Sequence, residues 1–209
     1  MEDDKAIKVI LLGESGVGKT NLIRVTTGDK FEENPGSTIS SSYCESQITV
    51  GKKKYSYYLW DTAGQEKFRS LNQLFIKDSK IILIIFSINE KASFEHVDFW
   101  NNYVKDILGK GGYIIALIGN KSDLYEEEDV VSEKEIEKKA KELGIKYKVA
   151  SARADPKGFK TFLEGLLEEY IIKYHPEEYI DQTSFQIKPT KNKRKNSNND
   201  NKNNNKKCC

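Results

Sequence analysis

The sequence predicts an α/β fold in one domain, a mostly parallel sheet with helices on both faces. Three observations carry this. Apolar, β-branched runs alternate along the chain with stretches of helical period. The runs at 81–86 and 113–118 are continuously apolar, as in strands covered on both sides. A glycine-rich turn stands between the first run and the first helical stretch, at the carboxyl end of a strand, where open α/β sheets bind ligands.

The elements follow in order. Residues 6–12 are apolar and β-branched, 13–18 turn, and 19–27 can run as a helix. Residues 43–50 and 54–60 flank Gly51-Lys52-Lys53, a predicted hairpin and the source of one antiparallel strand. Residues 80–87 and 113–120 read as buried strands. Between them Phe94, Val97, Trp100 and Val104 recur at three- and four-residue steps, predicting one helix over 93–108. Ser132-x-x-Glu135 is a capping box opening a helix that stops near Gly144. Residues 146–150 form a last short strand. Asp155-Pro156 supplies the cap and first position of a final helix to about 174. The expected organisation is an extension over 1–5, a domain over 6–176, and a tail over 177–209.

Composition excludes several classes. With 209 residues and 37% apolar content the chain can build a core. No apolar run approaches the roughly 20 residues of a membrane-spanning helix, and the acidic start lacks a signal-peptide stretch, so the cytosol is the default compartment. Three cysteines, two of them terminal, do not make a disulfide scaffold. Cys44 reads as a strand residue, and His96 and His175 as surface or packed histidines. The tail from Gln182 has eight Lys or Arg against Asp200 alone, a net +7, so residues 1–181 carry −5 within the total of +2. A weakly acidic body with a basic, Asn- and Lys-rich, disordered arm points away from nucleic acid and toward an anionic surface.

Gly13-Glu14-Ser15-Gly16-Val17-Gly18-Lys19-Thr20 matches the phosphate-loop pattern without a gap. Glycines let successive N–H groups curl toward phosphate oxygens, and the helix start adds partial positive charge. Lys19 would bridge the β- and γ-phosphates, and Thr20 would ligate Mg²⁺. The loop predicts a P-loop NTPase domain, which ATPases, nucleoside kinases and GTPases share.

Asn120-Lys121-Ser122-Asp123 ends the 113–120 strand. The Asp123 carboxylate can accept both adjacent N–H donors of guanine, which adenine lacks. The Lys121 stem can cover the base, and Asn120 can tie this loop to the phosphate loop. In Ser151-Ala152-Arg153, the Ala152 N–H could meet the guanine O6. In Trp60-Asp61-Thr62-Ala63-Gly64-Gln65, Asp61 would hold Mg²⁺ through water, the Gly64 N–H would reach the γ-phosphate, and Gln65 would orient the attacking water. Thr38 is the candidate ligand from the other loop, giving a metal set of Thr20, Thr38 and Asp61. Such contacts make a switch, since hydrolysis removes them.

These elements, in this order, resemble the Ras superfamily of small GTPases, and within it the Rab family. The resemblance covers residues 6 to about 175 and the terminal Cys208-Cys209. It rests on Gly-Glu-Ser-Gly-Val-Gly-Lys-Thr, with Ser15 in second-glycine position, and on Trp60-Asp61-Thr62-Ala63-Gly64-Gln65-Glu66-Lys67-Phe68-Arg69. It implies a six-stranded sheet with five helices, GTP and Mg²⁺ binding, slow hydrolysis with Lys19 and Gln65 as the catalytic groups, and a membrane-traffic role. It also implies Phe31 flanking the guanine, geranylgeranylation of Cys208 and Cys209, and an effector-facing aromatic set of Tyr43, Trp60 and Phe75. Implied partners are effectors, an exchange factor, an activating protein and prenyl-carrier proteins. The implied setting for the monomeric domain is the cytoplasmic face of endomembranes, cycling with the cytosol. The sequence departs from the family at Ile39-Ser40-Ser41-Ser42-Tyr43, Phe75-Ile76-Lys77 and Arg153. Rival readings are a non-hydrolysing nucleotide-bound scaffold, a phosphotransferase, and a signalling GTPase outside trafficking.

Overall fold

The computed structural model describes residues 6–36, 38, 42–62, 69–126 and 130–176. Gly64, Gln65, Cys208 and Cys209 lie outside the described residues, as do the extension over 1–5 and the tail over 177–209.

Six strands form one sheet: β1 (Ile7–Leu12), β2 (Ser42–Val50), β3 (Lys53–Asp61), β4 (Ile81–Ser87), β5 (Ile114–Asn120) and β6 (Lys146–Val149). Their spatial order is β2-β3-β1-β4-β5-β6, with only the β2–β3 pair antiparallel. The helices are α1 (Lys19–Thr27), α2 (Arg69–Ile76), α3 (Lys91–Glu95), α4 (Val97–Leu108), α5 (Glu133–Leu143) and α6 (Pro156–Tyr174).

Strand period two divides the core between the faces. Val9 and Leu11 join Leu22 of α1 and Phe159 and Leu163 of α6. Ile10 and Leu12 join Trp100 and Val104 of α4 and Ile136 of α5. All seven residues of β4 are buried, which is why that strand shows no alternation. The parallel register brings the carboxyl ends of β1, β3, β4, β5 and β6 to one edge, and the predicted site motifs follow four of them.

Local chemistry sets the ends. The Ser132 hydroxyl accepts from the Glu135 N–H while the Glu135 carboxylate accepts from the Ser132 N–H, the predicted capping box. The Asp155 carboxylate caps α6 from the Gly158 N–H at 2.9 Å, with Pro156 at its first turn.

Two helical regions differ from the sequence expectation. The helix expected over 93–108 starts at Lys91 and is divided at His96 into α3 and α4. At the division His96 Nδ1 pairs with Glu14 Oε1 of the phosphate loop at 3.0 Å, and Trp100 Nε1 donates to the same oxygen at 3.2 Å. Helix α2 was not legible as a helix. It is an addition to the elements expected between residues 61 and 79, with Ile76 fully buried and Leu74 exposed.

Candidate functional site

The phosphate loop is shaped by backbone that only glycine adopts readily. Gly13, Gly16 and Gly18 have φ of +147°, +82° and +95°. A Cβ on Gly13 would strike the Ile85 carbonyl, and one on Gly18 would strike Asn120 Nδ2. No side chain caps the start of α1, so its first N–H groups remain available to an anion.

Lys19 is almost fully buried, and its ammonium donates to the carbonyls of Gly13 at 2.9 Å and Glu14 at 2.8 Å. Burial lowers its pKa to about 8, against the opposing pull of Asp61 and Glu14. It remains a cation at neutral pH.

Thr20, Thr38 and Asp61 converge. Thr20 Oγ1 donates to Asp61 Oδ2 at 2.7 Å. Thr38 Oγ1 lies 3.3 Å from the same oxygen and 3.0 Å from the Thr20 hydroxyl. Burial raises the Asp61 pKa, and its Oδ1 is buried without a hydrogen-bond partner among the described residues. An orphaned carboxylate oxygen beside two hydroxyls is a hard-oxygen donor set, and it fits Mg²⁺. The Thr62 hydroxyl fixes the end of β3 by donating to the Leu11 carbonyl at 2.6 Å.

Across the cavity, Lys121 adopts φ +65°, a left-handed conformation rare for non-glycine residues. It turns the chain from β5 directly into the one-turn 3₁₀ helix Ser122–Leu124 that carries Asp123. Asn120 ties the loops as expected. Its Nδ2 donates to the Val17 carbonyl at 2.8 Å, and its Oδ1 accepts from the Ala152 N–H at 3.3 Å.

A cavity of about 310 Å³ joins these groups. Ser15, Gly16, Gly18, Lys19, Thr20, Phe31, Thr38, Asn120, Lys121, Asp123, Ala152 and Arg153 all line it. Asp61 is next to the lining residue Thr62. Val17 belongs to the core through its side chain and meets the site through its backbone. Ser151 does not line the cavity. Its buried hydroxyl donates to Asp123 Oδ1 at 2.5 Å and accepts from the N–H groups of Arg153 and Ala154, so it acts on Asp123.

Sequence reasoning missed two lining residues with specific partners. Glu33 pairs with Arg153 at 3.0 Å across the cavity mouth. Asn21 holds Glu32. The only sequence signal for Asn21 is a polar residue directly before the apolar pair Leu22-Ile23 of α1.

The aromatic set lies on the sheet edge beyond β3. Tyr43 and Trp60 face each other in the antiparallel register and stack at 5.0 Å, and Phe75 of α2 lies 5.5 Å from Trp60. Tyr43 is 56% exposed and Leu74 of α2 69%, while Trp60 and Phe75 are half-buried. Among the described residues no helix is long and apolar enough to cross a membrane.

Comparison with known proteins agrees with this geometry. A family model described as the Ras family matches residues 8–171. Ras-related protein Rab-21 of Geodia cydonium is 32% identical over 169 residues, 81% of this chain and 72% of that protein. Its Homo sapiens counterpart is 33% identical over 166 residues, 79% and 72% respectively. The Ypt/Rab-type GTPase YPT7 of Saccharomyces cerevisiae is 34% identical over 142 residues, 66% of this chain and 68% of that protein. With a phosphate loop, a hard-oxygen cluster and an Asn-Lys-x-Asp loop around one cavity, and with these relatives across most of its length, the chain belongs to the Ras superfamily of small GTPases, in the Rab family.

Proposed function

We propose that this protein is a GTP-hydrolysing switch of membrane traffic, active with GTP and inactive with GDP. The observation that carries the reading is the single cavity shared by Lys19, Thr20, Thr38 and Asp123. Its polar groups fall into two sets suited to the two ends of a guanine nucleotide.

Asp123, held by Ser151, accepts from the guanine edge, and Phe31 and the Lys121 stem bracket the ring. The ammonium of Lys19 and the N–H groups of the glycine loop face the phosphates. Thr20, Thr38 and Asp61 would hold Mg²⁺, which supplies charge neutralisation at the β- and γ-phosphate oxygens. Gln65 orients the water and the Gly64 N–H reaches the γ-phosphate in this reading. Catalysis is then positioning plus electrostatic stabilisation. Intrinsic turnover is expected on the order of 10⁻⁴ to 10⁻³ s⁻¹, to be raised by an activating protein.

Thr38 comes from the loop before β2 and Gly64 from the segment after β3. Loss of the γ-phosphate removes their shared contact, and both segments relax. The Tyr43–Trp60–Phe75 strip, with Tyr43 exposed, lies on β2, β3 and α2 and suits an effector that reads the GTP state. Cys208 and Cys209 carry prenyl chains at the tip of the basic arm. Two lipids, or one with a polybasic stretch, anchor stably where one chain does not. Prenyl-carrier proteins would return the GDP form to the cytosol, and an exchange factor would reload it at an endomembrane.

Single-turnover hydrolysis of radiolabelled GTP tests the reading. The wild type is expected to convert GTP at the slow rate above, and Gln65→Leu to retain it. Hydrolysis by Gln65→Leu at the wild-type rate, or equal affinity of the wild type for ATP and GTP, would refute it.

A further inference from the structure

Asn21 is the second residue after Lys19 in α1 and is nine-tenths or more buried. Both ends of its amide are committed to one backbone position across the cavity. Nδ2 donates to the Glu32 carbonyl at 2.8 Å, and Oδ1 accepts from the Glu32 N–H at 3.0 Å. The pairing is that of a two-bond clasp, and it fixes the Glu32 peptide groups in orientation as well as position.

The segment so held carries two cavity residues, Phe31 on one side of Glu32 and Glu33 on the other. Its other ties are weaker. Arg24 Nε donates to the Lys30 carbonyl at 3.2 Å, and its guanidinium pairs with Glu32 at 3.1 Å. Glu33 pairs with Arg153 at 3.0 Å, both side chains more than half exposed. Exposed ion pairs of this kind contribute little, whereas a buried amide that loses both partners leaves desolvated polar groups behind. The buried clasp is therefore the strongest polar hold on this segment among the described residues.

We propose that Asn21 is a positioning residue for nucleotide retention: its clasp on Glu32 locks Phe31 against the bound base, and nucleotide leaves only when the clasp opens. This rests on the cavity being the guanine-nucleotide site. The clasp ties the covering segment to the same helix that carries Lys19 and Thr20, so base cover and phosphate grip move as one body.

The test is release of a fluorescent GDP preloaded on the full chain and chased with excess GDP. Asn21→Ala is expected to release at least about tenfold faster than wild type, which is about 1.4 kcal/mol. Arg24→Ala, which breaks only the exposed ties of α1 to Lys30 and Glu32 and lies outside the cavity lining, is expected to change release by less than about threefold. Because Asn21 acts through Phe31, the double variant Asn21→Ala/Phe31→Ala should release no faster than Phe31→Ala alone. A merely structural loss would instead add to the Phe31 effect. If Asn21→Ala does not fold, Asn21→Ser carries the same expectations, its hydroxyl being too short to replace the clasp. Unchanged release from the Asn21 variant, or additive effects in the double variant, overturns the proposal. A wild type that holds GDP while Asn21→Ala matches it removes the clasp alone; a wild type that holds no GDP removes the nucleotide reading with it.

Discussion

Ser151 offers a sharp perturbation because it touches Asp123 and does not line the cavity. Its hydroxyl is buried, donates to Asp123 Oδ1 at 2.5 Å and accepts from the Ala154 N–H at 2.8 Å and the Arg153 N–H at 3.2 Å. Ser151→Ala removes all three bonds with almost no change in volume. Ala154 and Arg153 are exposed, so their N–H groups can turn to water, and the cost falls on Asp123. A hydrogen bond to a charged group contributes about 1.5–3 kcal/mol. At about 1.4 kcal/mol per tenfold, that predicts GDP binding weakened by about 10- to 100-fold. The readout specific to the mechanism is the comparison of GDP with inosine diphosphate, which lacks the 2-amino group. A carboxylate no longer aimed at both guanine donors gains less from the second, so the ratio of the two affinities should shrink. Isothermal calorimetry on wild type and Ser151→Ala measures both quantities. GDP affinity and the GDP-to-IDP ratio both within about twofold of wild type would show that Asp123 needs no holder, and the reasoning would fail.

Two further outcomes follow from local geometry. Gly18→Ala places a Cβ at φ +95° and against Asn120 Nδ2, the atom that ties the two loops, so nucleotide binding should fall by at least about 30-fold, about 2 kcal/mol, with circular dichroism unchanged; wild-type affinity would contradict the loop-tie role. Ser132→Ala removes the cap of α5, costing about 1 kcal/mol and lowering the melting temperature by about 2–4 °C at neutral pH. The Ser132 hydroxyl and N–H hold the Glu135 pKa below its ordinary 4.5. A carboxyl whose pKa is lowered on folding contributes stability that is present above 4.5 and lost as pH falls through the folded value. The gap between wild type and Ser132→Ala should therefore narrow in urea titrations below pH 4.5; a gap that stays constant there would argue against the box.

Whatever depends on neighbours along the chain is legible in residue order. The glycine pattern of the phosphate loop, the Ser132–Glu135 box, the Asp155-Pro156 start of α6 and the period of the strands are short-range facts, set by backbone sterics and by bonds a few residues long. Whatever depends on distant partners emerges only once the chain is packed. The tie from Asn120 to Val17 spans 103 residues, and the support of Asp123 by Ser151 spans 28. The clasp from Asn21 to Glu32 spans only 11, yet it requires the segment after α1 to fold back across the cavity. The 91–108 helix divides at His96, where the chain meets Glu14 from the far-off phosphate loop. Periodicity reports only which face of an element avoids water. Which polar atoms meet across the carboxyl ends of five strands is fixed by sheet order and register, and these arise from the packing of the whole core.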